Sequence, residues 1–253
     1  MKRTKKIIVN ICLLLIIMII SIFSSRAIAT NNSAVGNKPI FRVDTESKKI
    51  AITFDVNWAE EEHIYEILDI LKKYDVKATF FVMGKWVNFP EGNKEKLIRI
   101  NEEGHEIGNH SYVHPSFSKI SEERMLEELN KTDEIIYEAI GVKPTLFRFP
   151  SGDYNERALA YVMNKGYSCI QWDCDSVDWK QLGEEIEYER VIKNVKAGSI
   201  LLFHNNAKYT PKNLEKLIVK LKEDGYEFVT VGQLIYYENY YIDENGEQHK
   251  NNY

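Results

Sequence analysis

A chain of 253 residues, 44% hydrophobic and 28% charged, has an ordinary globular composition and length enough for one sizeable core. A net charge of −5 argues against a nucleic-acid partner, because phosphate binding shows as a basic excess or stripe and the body of the chain has neither. No Cys-x-x-Cys pair occurs, which excludes a paired-thiolate metal centre.

The first element is the N-terminal segment, where Lys2, Arg3, Lys5 and Lys6 precede an apolar run over residues 7–23, broken by Asn10 and Ser21. The run suits either a signal peptide or a short membrane anchor: it sits at the lower edge of a bilayer span, and Ala27-Ile28-Ala29 supplies the small-x-small pattern that a signal peptidase reads. In both cases the basic end stays in the cytoplasm and the remainder is extracellular or at the cell surface. Residues 1–29 form this segment and the polar stretch 30–46 a linker. A domain is expected over 47–236, followed by a polar, tyrosine-rich tail over 237–253.

Within the domain, β-branched and aromatic runs predict seven strands, at 50–54, 78–82, 105–108, 145–149, 167–172, 199–203 and 226–229. Helical periodicity fills the gaps. Met125, Leu129, Ile136 and Ile140 recur on one face of Glu122–Ile140, between Ser121 as N-cap and Gly141 as stop, and residues 212–223 end at Asp224-Gly225. Alternating strand and helix predicts a parallel sheet with helices on its faces. At about 190 residues the domain is short for an eight-fold barrel of roughly 250, so an incomplete seven-stranded parallel (β/α) barrel is expected. An open doubly wound sheet is the competitor, but Asp55-Val56-Asn57-Trp58 follows the first strand where its glycine-rich phosphate loop would stand. Cys169 and Cys174 are the only pair available to an exported domain, and the spacing leaves a disulfide or two free thiols open.

In parallel barrels reactive groups collect at the C-terminal ends of the strands. Asp55 closes the first predicted strand, His110 follows the third, Arg148 ends the fourth, Asp175 and Asp178 follow the fifth, and His204 closes the sixth. Singly, an aspartate after a strand is more often a turn former and a histidine more often structural. Random placement would rarely give five of seven strands such a side chain at one end. His110 and His114 are spaced to share one face of a helical turn and so serve one metal ion, although two neutral imidazoles need a further ligand. Zinc suits them, and cobalt, nickel or iron are compatible.

Thr53-Phe54-Asp55, Gly104 through His110 to His114-Pro115, Arg148-Phe149-Pro150, Asp175 to Trp179, and Leu202-Phe203-His204 stand in the order of the motifs of the polysaccharide deacetylases. The chain resembles that family (carbohydrate esterase family four, the NodB homology domain) from about residue 48 to 236, and within it most resembles the deacetylase-like proteins of spore-forming bacteria. The resemblance implies that His110 and His114 ligate a divalent metal, that Asp55 is the base activating water, and that Arg148 orients Asp55. It further implies that His204 is the acid for the departing amine, with Asp178 hydrogen-bonded to it. Trp179 and Leu202 would wall an acetyl pocket, and the Ser151 N–H would face the oxyanion. Amide hydrolysis independently needs a nucleophilic water, a stabilised oxyanion and a proton for nitrogen.

Two positions depart from the family pattern. Val56 replaces a metal-binding aspartate, leaving Asn57 or Asp55 to fill the gap, and Ser151 replaces a common tyrosine whose inferred role is a backbone one. Trp58, Trp86 and Trp172 suit either sugar stacking or packing. His105 reads as structural, and Glu60, Glu61 and Glu62 read as favouring a helix N-terminus. The implied function is removal of N-acetyl groups from amino sugars of peptidoglycan or a related cell-surface polysaccharide. The alternatives are a non-catalytic glycan-binding protein on the same fold and an O-acetyl esterase.

Overall fold

A computed structural model describes residues 38–251. In chain order its strands are β1 (Arg42–Val43), β2 (Lys49–Val56), β3 (Thr79–Val82), β4 (Glu106–Asn109), β5 (Leu146–Phe147), β6 (Ser168–Cys169), β7 (Cys174–Asp175), β8 (Ile200–His204), β9 (Glu227–Phe228), β10 (Tyr240–Ile242) and β11 (Glu247–Lys250). The helices are α1 (Ile64–Lys73), α2 (Gly84–Asn88), α3 (Asn93–Glu102), α4 (Glu122–Ile140), α5 (Glu156–Asn164), α6 (Glu184–Asn194), α7 (Thr210–Glu223) and α8 (Val231–Leu234). The segment 1–29, with its apolar run, lies outside the described residues. Among those described, no helix is long and apolar enough to cross a membrane.

β2 is central because it is buried on both faces along nearly its whole length. Ile50, Ile52, Phe54 and Val56 point one way, into a cluster with Ile64, Ile67, Leu68 and Leu71 of α1 and Leu214, Leu217 and Leu221 of α7. The alternate residues Ala51, Thr53 and Asp55 face the concave side. Strands add on both edges in the order β6-β5-β4-β3-β2-β8-β7, every pair parallel, with β9 beside the first residues of β2. This curled, open sheet is the expected incomplete barrel. α4 forms as its sequence predicts: Ser121 accepts from the Arg124 N–H, Gly141 stops the helix at φ 70°, and Met125, Leu129 and Ile136 are buried.

The structure differs from the sequence reading at one strand and adds detail at two other places. The predicted strand 167–172 is shorter, since after Ser168–Cys169 the chain leaves the sheet and returns as a further strand, β7, on the opposite edge. Cys169 and Cys174 therefore enter different core clusters as free, buried thiols, and burial raises both thiol pKa values. The polar tail is structured: β10 and β11 form a hairpin, and β11 pairs in parallel with β1 inside the expected linker. Residues 40–43 bridge the open side of the sheet through Ile40–Ile170 and Arg42–Ser199 contacts, and Ile40, Val43, Leu234 and Ile242 share one core cluster. Gly198 makes this closure possible. At φ 78°, it stands so close that a Cβ there would lie 1.7 Å from the Val43 carbonyl oxygen.

Candidate active site

Strand register places the reactive side chains at one level. Asp55 pairs with His204 across β2 and β8, and Asn109 pairs with Phe147 across β4 and β5, so His110 and Arg148 leave their strands side by side. The Arg148 N–H donates to the Asn109 carbonyl at 3.1 Å.

Arg148 is fully buried, under the ring of Phe81. Its Nη1 donates to Asp55 Oδ1 at 2.9 Å and to Thr53 Oγ1 at 2.8 Å, and its Nη2 donates to the Gln171 carbonyl at 3.1 Å. Burial opposes ionisation of Asp55, but the electropositive surroundings of His110, Arg148 and His204, with the Arg148 hydrogen bond, hold its carboxyl below the usual value. Arg148 supplies the permanent charge, because burial pushes His110 down to about 4 and leaves a neutral imidazole.

The tautomer of His110 follows from its partners. Nδ1 donates to the Arg148 carbonyl at 2.9 Å, so Nε2 keeps its lone pair. That nitrogen is buried without a hydrogen-bond partner, 3.5 Å from Asp55 Oδ2. His110 and His114 do not share a helical turn, contrary to the spacing argument. They lie in a loop that turns at Ser111 (φ 66°) and His114 (φ 61°), where Glu128 accepts the Tyr112 and Val113 N–H groups at 2.7 and 2.8 Å. The two rings still meet edge to face, with centroids 5.0 Å apart.

On the other wall, Asp178 is buried and fully occupied. It binds His204 Nδ1 at 2.7 Å and accepts from the His204 N–H at 2.8 Å and from Thr210 Oγ1 at 2.6 Å. Burial would lower the His204 pKa, but the hydrogen bond and charge of Asp178, with Asp55 and Asp175 nearby, raise it. Nε2 is then the nitrogen available to the cleft.

Between the walls is a cleft of about 520 Å³. Asp55, Asn57, His114, Ser151, Trp179, Leu202 and His204 line it, while His110, Arg148 and Asp178 stand buried at or behind its surface. All ten residues singled out in the sequence are thus gathered at one end of the sheet. Ser151 adopts a left-handed conformation at φ 53°, beside Gly152, where a Cβ would come within 3.0 Å of the Trp172 ring.

The donor set fits a divalent ion in kind, with two neutral imidazoles, the Asp55 carboxylate, and Asn57 Oδ1, a second buried atom without a partner. Val56 adds nothing, since its side chain belongs to the core cluster of Phe54 and Phe80. The ligand atoms of His110, His114 and Asp55 do not all fall within 4.8 Å of one another. Among the described residues the group that meets this limit is Asp243, Glu247 and His249, in the β10–β11 hairpin. There, Arg42 pairs with Glu247 at 2.6 Å and His249 with Asp44 at 2.9 Å, so the charges compensate internally.

Asn205 carries a role the sequence reading missed. Its amide exchanges hydrogen bonds with the Asn57 backbone, accepting the N–H and donating to the carbonyl, both at 3.0 Å, and donates to Glu62 at 3.0 Å. Glu62 is accordingly no helix N-terminal charge: it also accepts from Trp86 Nε1 at 3.2 Å and pairs with Lys96. That makes Trp86 a buried anchor, while Trp172 and Trp179 border the cleft. The doublet Asn205-Asn206, just after a strand end, was the available signal. His105 is structural as expected, its Nδ1 accepting the Ala78 N–H at 3.2 Å.

The polysaccharide deacetylase family model matches residues 42–170. The YlxY protein of Bacillus subtilis, itself uncharacterised, is 36% identical over 78% of this chain and 60% of its own length. The peptidoglycan-N-acetylmuramic acid deacetylase PdaA of the same organism is 34% identical, over 76% of this chain and 73% of PdaA. Among solved structures, BA3943 of Bacillus anthracis, described as a CE4 family pseudoenzyme, superposes with a TM-score of 0.74 at 32% identity, covering 85% of this chain and 74% of that one. A mutant of BA3943 is described as having restored enzymatic activity. With a matched family model, relatives alike over most of both chains, and a common half-barrel, the chain belongs to the polysaccharide deacetylase family.

Proposed function

We propose that the chain hydrolyses N-acetyl groups of amino sugars in peptidoglycan or a related cell-surface polysaccharide, with a divalent metal as cofactor. One observation carries this reading. Two buried couples, Asp55 with Arg148 and Asp178 with His204, face each other across one cleft with opposite protonation preferences. Asp55, held ionised, is the group to take a proton from water. His204, whose pKa is raised, is the group to give one to the departing amine. Arg148 fixes the base, Asp178 fixes the acid, Leu202 and Trp179 border the acetyl methyl, and the Ser151 N–H serves the oxyanion. His110, His114 and Asn57 would hold the metal, with Asp55 beside them. When bound, zinc, cobalt or nickel supplies Lewis acidity toward the acetyl carbonyl and water. The basic and apolar start of the sequence supports export, and the names of relatives support a cell-wall substrate.

A second reading is favoured by Val56, which leaves the metal site one carboxylate short, and by the similarity to a protein described as a pseudoenzyme. In that reading the cleft binds glycan without turnover. Metal content of the full chain, measured beside His110→Ala, and acetate release from N-acetylglucosamine oligomers and from peptidoglycan, measured beside Asp55→Asn, separate the two. Acetate release lost in Asp55→Asn supports the hydrolase. Glycan binding without acetate release under excess zinc, cobalt or nickel supports the binding protein.

A further inference from the structure

A second groove, of about 550 Å³, lies next to the reaction cleft and is lined by Trp58, Met83, Lys85, Phe89 and Val113. Trp58 is 53% exposed, Phe89 57% and Val113 37%, an unusual concentration of apolar side chains for open surface. The groove and the cleft are neighbours along the chain at two adjacent pairs, because Asn57 and His114 line the cleft while Trp58 and Val113 line the groove. Lys85 is its one cation and, among the described residues, has no carboxylate within 4 Å. The far side of the reaction cleft carries Asp175 instead.

Building on the deacetylase reading, we infer that this groove holds the neighbouring sugar of the glycan strand and selects a carboxylate-bearing one of the muramic-acid type. Trp58 and Phe89 present flat apolar faces to a pyranose ring, and Lys85 meets the carboxylate. The same acidic sugar on the other side would face Asp175. In an alternating polymer this polarity sets the register, with the acidic sugar in the groove and its neutral neighbour, an N-acetylglucosamine, at Asp55 and His204.

The test is calorimetric titration of the full chain carrying Asp55→Asn, which keeps turnover out of the measurement. Two probes are used, tetra-N-acetylchitotetraose and an alternating N-acetylglucosamine–N-acetylmuramic acid tetrasaccharide. The expected result is a preference for the acidic probe. Trp58→Ala weakens both probes by about tenfold and Trp58→Phe restores most of the loss. Lys85→Gln lowers the ratio of acidic to neutral affinity by about threefold, and added salt does the same to the parent. Affinities unmoved by Trp58→Ala, or a ratio unmoved by Lys85→Gln, overturn the groove while leaving the deacetylase reading intact. Failure to bind either probe overturns both.

Discussion

Replacing Arg148 by methionine tests the core of the site without reference to any substrate. The change removes three hydrogen bonds, to Thr53, Asp55 and Gln171, and leaves the Asp55 carboxylate 4% exposed without its permanent, directly bonded cation. Methionine fills much of the volume, so the penalty is electrostatic, and stranding one partner of a buried pair costs about 3–5 kcal/mol. Adding Asp55→Asn removes the stranded charge, so the double variant should be more stable than Arg148→Met alone, with a coupling of about 2 kcal/mol or more.

The pH dependence reverses as well. In the parent, Asp55 has a lowered folded-state pKa, so its contribution is present above the unfolded value of about 3.9 and is lost as pH falls through the folded one. Without Arg148, burial loses its permanent counterweight, with only His110 and His204 left to oppose it, and the folded pKa is expected to rise past the unfolded value. The Asp55 contribution then favours the fold at low pH and is lost as pH climbs from about 4 toward neutrality. Urea unfolding with chelator present, between pH 4 and 7, reads both effects. An Arg148→Met variant within about 1 kcal/mol of the parent, with an unchanged pH profile, would mean that Arg148 does not hold Asp55 ionised.

Other perturbations probe other parts of the molecule. Asp178→Asn withdraws the charge that raises His204, so the alkaline limb of the pH profile for acetate release should move to lower pH; an unmoved limb excludes His204 as the acid. Gly198→Ala sets a Cβ against the Val43 carbonyl at a left-handed position, and should cost at least about 2 kcal/mol in thermal unfolding and expose residues 38–48 to early proteolysis. Val56→Asp places a carboxylate among Phe54 and Phe80, and should destabilise by about 3 kcal/mol in chelator. Zinc should raise the unfolding midpoint of Val56→Asp more than that of the parent, and an equal response would mean that position 56 does not reach the metal.

The reactive centre was legible because Asp55, His110, Arg148 and His204 sit where strands end, and strand ends are marked by the switch from apolar alternation to polar residues. Thr53-Phe54-Asp55 and Leu202-Phe203-His204 show that switch plainly, and the β2–β8 register converts it into proximity. What the sequence hid depends on contacts distant along the chain. Asn205 gains its role only when Asn57 returns beside it. The loop of His110 and His114 is held by Glu128, which in sequence is one more acidic residue on an amphipathic helix. β1, β10 and β11 are short and polar, with no period to betray them, and form because closing the barrel buries Ile40, Val43 and Ile242.

Val56 and the two ionised couples pull in opposite directions, and their energetics differ. Valine at position 56 costs the fold nothing, because it extends the apolar face of β2. Keeping Asp55 with Arg148 and Asp178 with His204 does cost the fold, since buried ion pairs are commonly matched or bettered by hydrophobic residues of similar size. A surface that only grips glycan needs aromatic faces and exposed hydrogen bonds, not carboxylates buried behind the wall of its cleft. Two such couples aimed at one space, with an unpartnered imidazole nitrogen 3.5 Å from the proposed base, are an arrangement that proton transfer requires and packing does not. The balance favours chemistry, and in the metal-dependent reading proposed above the missing carboxylate would be expressed in how tightly a metal binds.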